Sequence, residues 1–591
     1  MKDFFKMMFA STLGFIIASI LFSLLSMLIL VGMVGSMASS VGGKQQFVLQ
    51  DNSVLHLKLN GIIQERVADN DPFTELLGST PGPIGLNDIV GAIRKAKNND
   101  KIKGIYLDTR IFSASNAMLA EIREELEKFK ESDKFIVAYS DNYLQSGYYL
   151  ASVADKVIIN PYGTLDIHGL SSTPLFYKDA LDKLGVEMQL FKVGTYKSYA
   201  ESYTQTGMSD ANREQVSSFL SDIWSFMKAD IAESRNMGVE KVDALANEFT
   251  MFKQTDFLLS ENIVDSVLYE TEMKNYIREL LNLDKDAKIP SASIADMKSV
   301  KSQSIKKSSN TVALLYAVGG ITSGSGSREI QDKYLVDQIE KLRKDKDIKA
   351  VVLRVNSGGG SAYASEQIWK AMTDLKKEKP VVVSMGDMAA SGGYYISCNA
   401  DKIVARPTTI TGSIGIFGLF PNVSGTLKKI GISSDVVKTN EFSDFGDISR
   451  GFNAKEGELL QAYIDNGYEL FITRCAEGRG MSKDSLMQYA EGRVWTGNQA
   501  KEIGLVDELG GIEDAIKIAA DLANLGKNYA VFEYPRMRSA FDELINRNKD
   551  ELAAKTIKKY LGESFETFML LKDIKEQDFI QARIPYELNI K

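Results

Sequence analysis

The chain opens with a long apolar run and then alternates between helical and strand-like patterns of hydrophobic residues. No residue from Met7 to Gly43 is charged, and the core of this run, Phe9 to Met33, exceeds the roughly 20 apolar residues that cross a bilayer. This length predicts a membrane-spanning helix, because the apolar stretch of a cleaved signal peptide is only about 7 to 15 residues long. The small-residue segment GSMASS that follows keeps a cleaved signal peptide open as the alternative.

The charges that flank the apolar run predict its orientation. Lys2 and Lys6 precede it, Asp3 offsets one of them, and the next charged residue is Lys44. Positively charged residues are enriched on the cytoplasmic side of membrane spans, so this small excess of positive charge predicts a cytoplasmic N-terminus. The rest of the chain is then expected outside the cytoplasm.

The chain contains an internal duplication with a constant shift of 246 positions. Val90–Leu107 falls on Val336–Leu353, and each segment shows apolar residues at helical spacing, a charged turn and an apolar strand. Tyr148–Pro161 falls on Tyr394–Pro407 without a gap, and six of the fourteen positions are identical. The sequence therefore predicts two copies of one domain.

Helices that alternate with short apolar strands are typical of an α/β architecture with mostly parallel strands. Residues 181–190 and 427–436 each predict a helix end, a glycine and a strand. Residues 288–310 are rich in Ser and Lys and indicate a surface linker, whereas residues 541–571 have a helical pattern. The predicted organisation is a cytoplasmic tip and anchor at 1–45, a first domain at 46–287, a linker at 288–310, a second domain at 311–530 and a helical extension at 531–591.

Composition excludes several classes of function. The chain has 44% apolar and 25% charged residues with a net charge of -8, which argues against a nucleic-acid partner held by a basic surface. Cys398 and Cys475 are the only cysteines, so a thiolate metal site is excluded and both are expected in the core. His56 and His168 are the only histidines, and neither lies in a zinc-protease motif.

A glycine-rich segment distinguishes the second copy from the first. Leu353–Ser361 (LRVNSGGGS) ends a predicted strand in three glycines, where the first copy has Phe112, Ser113 and Ala114. Glycine allows positive φ and a close approach of backbone N–H groups, which is the geometry of an oxyanion hole. A tight strand-to-helix turn explains the same pattern without any ligand.

A serine also belongs to the second copy alone. Ser391 is flanked by small residues and precedes an aromatic helical stretch, so its hydroxyl is expected at a helix N-terminus, where a nucleophile gains nearby backbone donors. A helix cap is the alternative role of such a serine. The ungapped alignment places Gln145 at the matching position of the first copy.

A serine nucleophile needs a base, and a lysine is the leading option because neither histidine lies in a segment that resembles a site. Lys197 follows a predicted strand and is flanked by Tyr196 and Tyr199. Burial lowers the pKa of a lysine enough for the neutral amine to serve as a base. Its counterpart in the second copy is Ser443, so the first copy keeps the lysine and the second keeps the serine.

Four segments resemble the motifs of signal peptide peptidase A, also called protease IV, in its long bacterial form with two fused domains. They are VGTYKSYAE, VNSGGGS, SMGDMAASGGYYIS and TGSIGIFG, and the resemblance covers nearly the whole chain. It implies tandem ClpP/crotonase-like domains and a Ser-Lys dyad, with Ser391 as nucleophile and Lys197 as general base. It implies neither a cofactor nor a metal.

The resemblance also implies roles for three further residues. Ser413 matches the serine that hydrogen-bonds the lysine, and Ile167 takes its place in the first copy. The backbone N–H groups of Gly359 and Gly392 match the oxyanion hole. Gly358 departs from the family, which usually has proline there, and this loosens the loop without removing a donor.

The family's substrates are signal peptides that the processing peptidase has already released, and its members form a membrane-attached bowl of subunits. The expected protein is thus a homo-oligomer, a tetramer by resemblance, in the bacterial inner membrane. The leading interpretation is a serine endopeptidase that cuts short hydrophobic peptides. The alternatives are an acyl-CoA hydratase or isomerase of the same fold, which would need neither Ser391 nor Lys197, and a non-catalytic membrane scaffold.

Overall fold

A computed structural model describes residues 2–42, 47–67, 82–300, 310–326, 329–537 and 580–584. The N-terminal run forms one helix, α1 (Lys2–Gly42). Its segment Lys6–Ser26 is long and apolar enough to cross a membrane, and it is not buried against the rest of the chain. By its length and composition this helix is a candidate membrane span.

The first copy alternates strands and helices in the order expected for an α/β domain. Its described strands are β1 (Ser53–Gln64), β2 (Ile84–Gly85), β3 (Ile102–Ser113), β4 (Phe135–Tyr143), β5 (Lys156–Leu165), β6 (Glu187–Lys192), β7 (Ser266–Val267) and β8 (Ser291–Ser293). Its helices are α2 (Leu86–Lys97), α3 (Asn116–Lys130), α4 (Gln145–Ala151), α5 (Lys178–Leu184), α6 (Glu201–Thr204), α7 (Asp210–Ser234), α8 (Val239–Asn247), α9 (Thr255–Ser260), α10 (Glu270–Leu280) and α11 (Ile294–Ser299). A short 3-10 helix covers Thr250–Phe252.

The second copy repeats the central part of this order, with additional short strands and without an equivalent of β6. Its strands are β9 (Thr311–Val318), β10 (Ile321–Thr322), β11 (Ile330–Gln331), β12 (Ile348–Ser357), β13 (Gly359–Ser361), β14 (Val381–Ala390), β15 (Lys402–Ala405), β16 (Ile410–Gly412), β17 (Phe417–Asn422), β18 (Val494–Thr496), β19 (Glu508–Leu509), β20 (Ala530–Tyr534) and β21 (Ile580–Arg583). Its helices are α12 (Asp332–Lys344), α13 (Ala362–Lys376), α14 (Gly392–Tyr395), α15 (Ser424–Lys429), α16 (Ala454–Arg479), α17 (Lys483–Met487), α18 (Gly497–Glu502) and α19 (Ile512–Leu522).

Two mostly parallel sheets form the cores of the two copies, which confirms the predicted duplicated α/β architecture. The first has the order β2-β1-β3-β4-β5-β7, with β8 paired to β1, and the other has the order β18-β16-β14-β12-β9-β20, with β15 and β19 attached through β14. Their central strands are buried on both faces, which explains why they are continuous apolar runs. Helices α3 and α13 have bounds that coincide under the shift of 246.

The predicted linker differs from the structure. Strand β8 pairs with β1 and helix α11 follows it, with Ala292 and Met297 fully buried in the core of the first copy. The Ser293 side chain caps α11, which explains why a Ser-rich segment is ordered here. The first domain therefore continues to about residue 300, and residues 301–309 lie outside the described residues.

The predicted C-terminal extension also contributes strands to the second copy. Strand β20 pairs in parallel with β9, and β21 pairs with β13 and β17. The helix expected over residues 541–571 lies outside the described residues. Short strands that pair with distant partners have no local sequence signal beyond a few apolar residues, so the sequence analysis missed both.

A third sheet joins the two copies, in the order β11-β10-β13-β21-β17-β6. Strand β6 of the first copy is antiparallel to β17 of the second, from the pair Lys192 and Phe417 to the pair Glu187 and Asn422. The strand expected at the equivalent place in the second copy is absent, because residues 433–438 form no strand and Val437 is exposed. Among the described residues, β6 of the first copy thus joins a sheet of the second, and its counterpart in the second copy forms no such strand.

Buried ion pairs hold the copies together beside this sheet. The Arg354 guanidinium of the second copy lies 3.0 Å from a Glu65 carboxylate oxygen and 3.1 Å from one of Glu121, both in the first copy, and all three side chains are buried. Arg406 likewise bonds Glu124 and, at 2.9 Å, the Ala120 carbonyl oxygen. A buried charge without a partner is costly, so an arrangement that separates Arg354 from Glu65 and Glu121 is disfavoured.

Candidate active site

Ser391 stands at the sharp junction between β14 and α14. Its backbone has φ 55° and ψ -114°, a conformation that non-glycine residues rarely adopt, and its N–H donates to the Gly412 carbonyl oxygen at 2.7 Å. The residue is fully buried. The strained junction aims the hydroxyl away from the strand and into the space between the two copies. Sequence analysis placed Ser391 correctly at the start of a helix but could not foresee its positive φ.

Lys197 reaches Ser391 from the loop that follows β6. Its Nζ lies 2.7 Å from Ser391 Oγ, 3.1 Å from Ser413 Oγ and 3.0 Å from the Ser413 carbonyl oxygen. The side chain is 1% exposed, and burial holds the pKa of Lys197 well below its ordinary value. A neutral amine has two N–H groups and one lone pair. With both N–H groups donated to Ser413, the lone pair is left to accept the proton of Ser391.

The two glycines expected to form an oxyanion hole lie side by side next to Ser391. Gly359 has φ 95°, and a Cβ added there would lie 2.7 Å from the Gly392 nitrogen. Gly392 is the first residue of α14, so its N–H belongs to the unpaired donors of a helix start. The Gly359 N–H donates to Ser357 Oγ at 3.1 Å. All five residues predicted from the sequence, including Ser413, thus meet at one place.

Sequence analysis missed the residues that hold the lysine loop in place. A Cβ added at Gly492 would lie 2.7 Å from the backbone N and Cα of Lys197, so only glycine lets the loop pass this closely. Tyr196 N–H donates to the Glu491 carbonyl oxygen at 3.0 Å. Gln215 Nε2 donates to the Tyr196 carbonyl oxygen at 3.1 Å, while its Oε1 accepts from the N–H of Val494 at 3.2 Å. Isolated Gly and Gln residues carry no motif, so only the structure identifies them.

Gly492→Ala should lower kcat/KM by about 100-fold, because a displacement of roughly 1 Å in a catalytic group has that effect. Gly446→Ala is the matched control, since Gly446 has φ 83° against 80° for Gly492 but no atom lies within 4 Å of its Cβ position. Both variants carry the strain of alanine at positive φ, a cost of about 1 to 2 kcal/mol. Peptidase assays and thermal melts of the two variants separate strain from displacement of Lys197. Equal activities would show that the Gly492 contact does not position the lysine.

The equivalent place in the first copy carries no hydroxyl. The Gln145 side chain fills it, with Oε1 accepting from the N–H groups of His168 and Gly169 and Nε2 donating to the Gly169 carbonyl oxygen. Ile167, the counterpart of Ser413, is buried. Because both ends of the Gln145 amide are hydrogen-bonded within the first copy, that copy keeps its fold without a serine at this position.

The two histidines and the two cysteines of the chain lie outside this site. His168 Nδ1 is 2.9 Å from Asp166, and His56 Nε2 on β1 is 3.2 Å from Asp108 on β3. Both cysteines are free and buried, as predicted. Across the described ranges, no group of three or more His, Cys, Asp or Glu side chains is arranged to hold a metal ion.

The paired copies, each with a mostly parallel sheet and helices at its strand ends, define a ClpP-like α/β protein, and the Clp protease family model matches residues 303–411. The model of Peptidase family S49 matches residues 128–284 and 373–526. The chain belongs to this family of serine proteases. The two matched stretches correspond to the two copies.

Curated relatives are similar in sequence to this chain over most of its length. Protease 4 of Haemophilus influenzae is 34% identical over 518 residues, which span 85% of this chain and 84% of that protein. Protease 4 of Salmonella typhi is 35% identical, over 80% and 78%, and the chloroplastic serine protease SPPA of Arabidopsis thaliana is 30% identical, over 84% and 73%. A solved ClpP1 mutant from Listeria monocytogenes has a TM-score of 0.24 at 18% identity, over 35% of this chain and 95% of that one.

Proposed function

We propose that the protein is a membrane-anchored serine endopeptidase with a Ser-Lys dyad, in which Ser391 is the nucleophile and Lys197 is the general base. The observation that carries the proposal is the 2.7 Å contact between a buried lysine of one copy and a strained serine of the other. Strained backbone and a strongly shifted pKa cluster at functional sites. Membership of the family supports the reaction class, and the geometry supports the roles proposed for the two residues.

The proposed reaction is a two-step acyl transfer. Ser391 Oγ attacks the scissile carbonyl while its proton passes to the neutral Nζ of Lys197. The N–H of Gly392, and that of Gly359 once it leaves Ser357 Oγ, donate hydrogen bonds to the carbonyl oxygen as negative charge develops on it. The protonated lysine then gives its proton to the leaving amine. A water molecule, deprotonated by Lys197, then attacks the acyl-enzyme, and Lys197 returns that proton to Ser391 Oγ as the ester bond breaks and the product acid leaves. Ser413 orients the amine throughout by accepting its N–H bonds.

The proposed substrates are released signal peptides and other short hydrophobic peptides, cleaved outside the cytoplasm by a homo-oligomer, a tetramer by resemblance. Support comes from the family motifs and from exposed apolar side chains at Ile430, Ile432 and Val437, on the loop that follows α15. Apolar groups left exposed on one chain are typical of surfaces that bind another. The apolar helix α1 supports attachment to the bacterial inner membrane.

The proposed topology predicts that protease added to spheroplasts will digest the body of the protein. Lys2 and Lys6 favour a cytoplasmic N-terminus, so residues beyond about 46 should be accessible from outside. Immunoblots with a tag at either end report the fragment that remains. A protein fully protected in intact spheroplasts, and digested only after lysis, would reverse the orientation.

A serine-reactive phosphonate tests the chemistry directly and should label Ser391 alone. Because Lys197 must be neutral to act as a base, labelling should slow about tenfold per pH unit below its pKa and level off above it. The burial of Lys197 lowers that pKa, so the plateau should begin well below the 10.5 of an ordinary lysine. Peptide mapping locates the label, and rates from mildly acidic to alkaline pH give the profile. An unlabelled protein would favour the non-catalytic scaffold.

A further inference from the structure

Strand β14 leads into Ser391 and changes its partner strand just before it. Residues Val382–Ser384 pair with β15, whereas Met388–Ala390 pair with β16. Between these two stretches the register with β12 shifts, so that Asn356 alone faces residues 386–388. Such a bulge bends a strand and redirects the side chains that follow it. The direction in which β14 presents Ser391 therefore depends on how residues 386–388, the β14 bulge, are held.

The first copy holds the β14 bulge through Glu65, the residue that follows β1. Glu65 Oε1 accepts from Asn356 Nδ2 at 3.0 Å, and Asn356 Oδ1 accepts from the N–H of Met388 at 3.2 Å. A Cβ added at Gly386 would lie 2.4 Å from the same Glu65 oxygen, so the carboxylate packs against the bare backbone of the bulge. A buried carboxylate of the first copy thus contacts the bulge directly and also through one amide.

The remaining residue of the β14 bulge contacts a second element of the first copy. The Asp387 carboxylate accepts hydrogen bonds from the Ser115 hydroxyl and from the N–H of Ala117. Ser115 also caps α3 by accepting from the N–H of Met118. The bulge is therefore tied both to the end of β1 and to the start of α3.

The equivalent residues of the first copy bond one another instead. The shift of 246 places Asp108 at the position of Arg354 and Arg110 at the position of Asn356. Arg110 Nε donates to Asp108 Oδ1 at 2.7 Å, within the first copy. The bond between the copies at this position thus belongs to the copy that carries the serine, as expected of a feature that serves the site and not the shared fold.

We infer that Glu65 is a positioning residue for Ser391, because it fixes the β14 bulge through Asn356 and by direct packing. The inference rests on the proposed function, since it takes Ser391 as the nucleophile. Arg354 orients the carboxylate, with its Nε 3.0 Å from Glu65 Oε2. The first copy then has two tasks, because it supplies Lys197 and also sets the position of the serine that Lys197 meets at 2.7 Å.

Glu65→Gln should lower kcat by about 10- to 100-fold and change KM by less than about threefold, since a displacement of roughly 1 Å in a catalytic group has an effect of that size. The amide offers one oxygen where the carboxylate offers two, so it cannot accept from both Arg354 and Asn356 as before. Peptide cleavage well below the Tm of each variant measures both constants.

Glu124→Gln is the matched control. Glu124 is also a glutamate of the first copy that pairs with a buried arginine of the second, Arg406, but it does not bond Asn356. Its replacement should leave kcat unchanged, even where it lowers Tm. Equal losses of kcat in Glu65→Gln and Glu124→Gln would show that Glu65 only holds the copies together, and would overturn the inference.

An exchange of the two side-chain types tests the bond itself. Asn356→Asp alone places a second carboxylate at the 3.0 Å that separates Asn356 from Glu65, and the repulsion should also lower kcat. In Glu65→Gln/Asn356→Asp the glutamine amide donates to the new carboxylate, and kcat should return to within about threefold of wild type. The exchange keeps the net charge and the hydrogen bond, so the double variant should fold even where a single one does not. A folded double variant no more active than the single variants would overturn the inference.

The pH profile of phosphonate labelling separates an effect on the serine from one on the lysine. In Glu65→Gln the plateau rate should fall about tenfold or more, whereas the pH at which the plateau begins should stay at its wild-type value, because Lys197 keeps its contacts. A shifted profile would place the effect on Lys197 and overturn the inference. An absence of label on Ser391 in the wild-type protein would instead overturn the proposed dyad, so the two failures are distinguishable.

Discussion

Ser391→Ala and Lys197→Met should each lower kcat/KM for a peptide substrate by about 10⁴-fold or more, and the double variant should be no worse than either single one. The nucleophile and its base act as one unit, so removing either disables both steps. Methionine keeps the length and apolar stem of lysine, which preserves packing in the pocket. Initial rates of peptide cleavage by purified variants measure the effect.

Lys402→Met is the matched control for the lysine. Lys402 is 44% exposed and lies 3.5 Å from Asp507, so it has no contact with Ser391, and its replacement should leave kcat/KM unchanged. Wild-type turnover by Lys197→Met would refute the dyad. A large loss in Lys402→Met would point to a different base.

Lys197→Met should also raise Tm at neutral pH. The unfolded chain binds a proton at Lys197 below pH 10.5, whereas burial disfavours the charged amine in the folded chain and lowers its pKa. Unfolding therefore takes up a proton between the two pKa values, and the free energy of unfolding falls as pH decreases through that window. Methionine removes this penalty. A lower Tm for the variant would show that the amine is stabilised by contacts beyond Ser413.

The two halves produced separately, residues 47–300 and 310–591, should each be inactive, and their mixture should regain activity. The first fragment extends to residue 300 because β8 and α11 belong to its core. Reassembly needs β6 to pair with β17 and Arg354 to meet Glu65 and Glu121, after which Lys197 reaches Ser391. Peptide cleavage by each fragment and by the mixture measures the result.

Variants of single fragments locate each function. Lys197→Met should inactivate the mixture only when the first fragment carries it, and Ser391→Ala only when the second does. Substantial cleavage by the second fragment alone would show that its base is local. Lys402 and Lys438 would then be the candidates, although their amines pair with Asp507 and Asp444 in the intact chain.

The duplication made much of the site predictable from the sequence. Shared residues reflect shared packing, so the positions where the copies differ identified Ser391 against Gln145 and Lys197 against Ser443. Family motifs added Ser413, Gly359 and Gly392. The dyad itself stands as a prediction until the variants are measured.

Other features depend on contacts that a local pattern does not contain. Residues 187–192 and 433–438 have similar patterns, yet only the first segment finds a sheet edge to pair with and becomes a strand. Strand β21 is a four-residue segment whose partners lie more than 150 positions away. The role of Gly492 is evident only in the structure, where this residue lies against the backbone of Lys197.

Strand β6, which leads into Lys197, determines when the candidate site can assemble during synthesis. Lys197 and Ser391 are 194 positions apart, and β6 completes its pairing only with β17, which is made after both. A chain emerging from the ribosome therefore contains Lys197 without Ser391 for a long part of its synthesis. The proposed dyad therefore cannot form until the second copy has been made and has paired with the first.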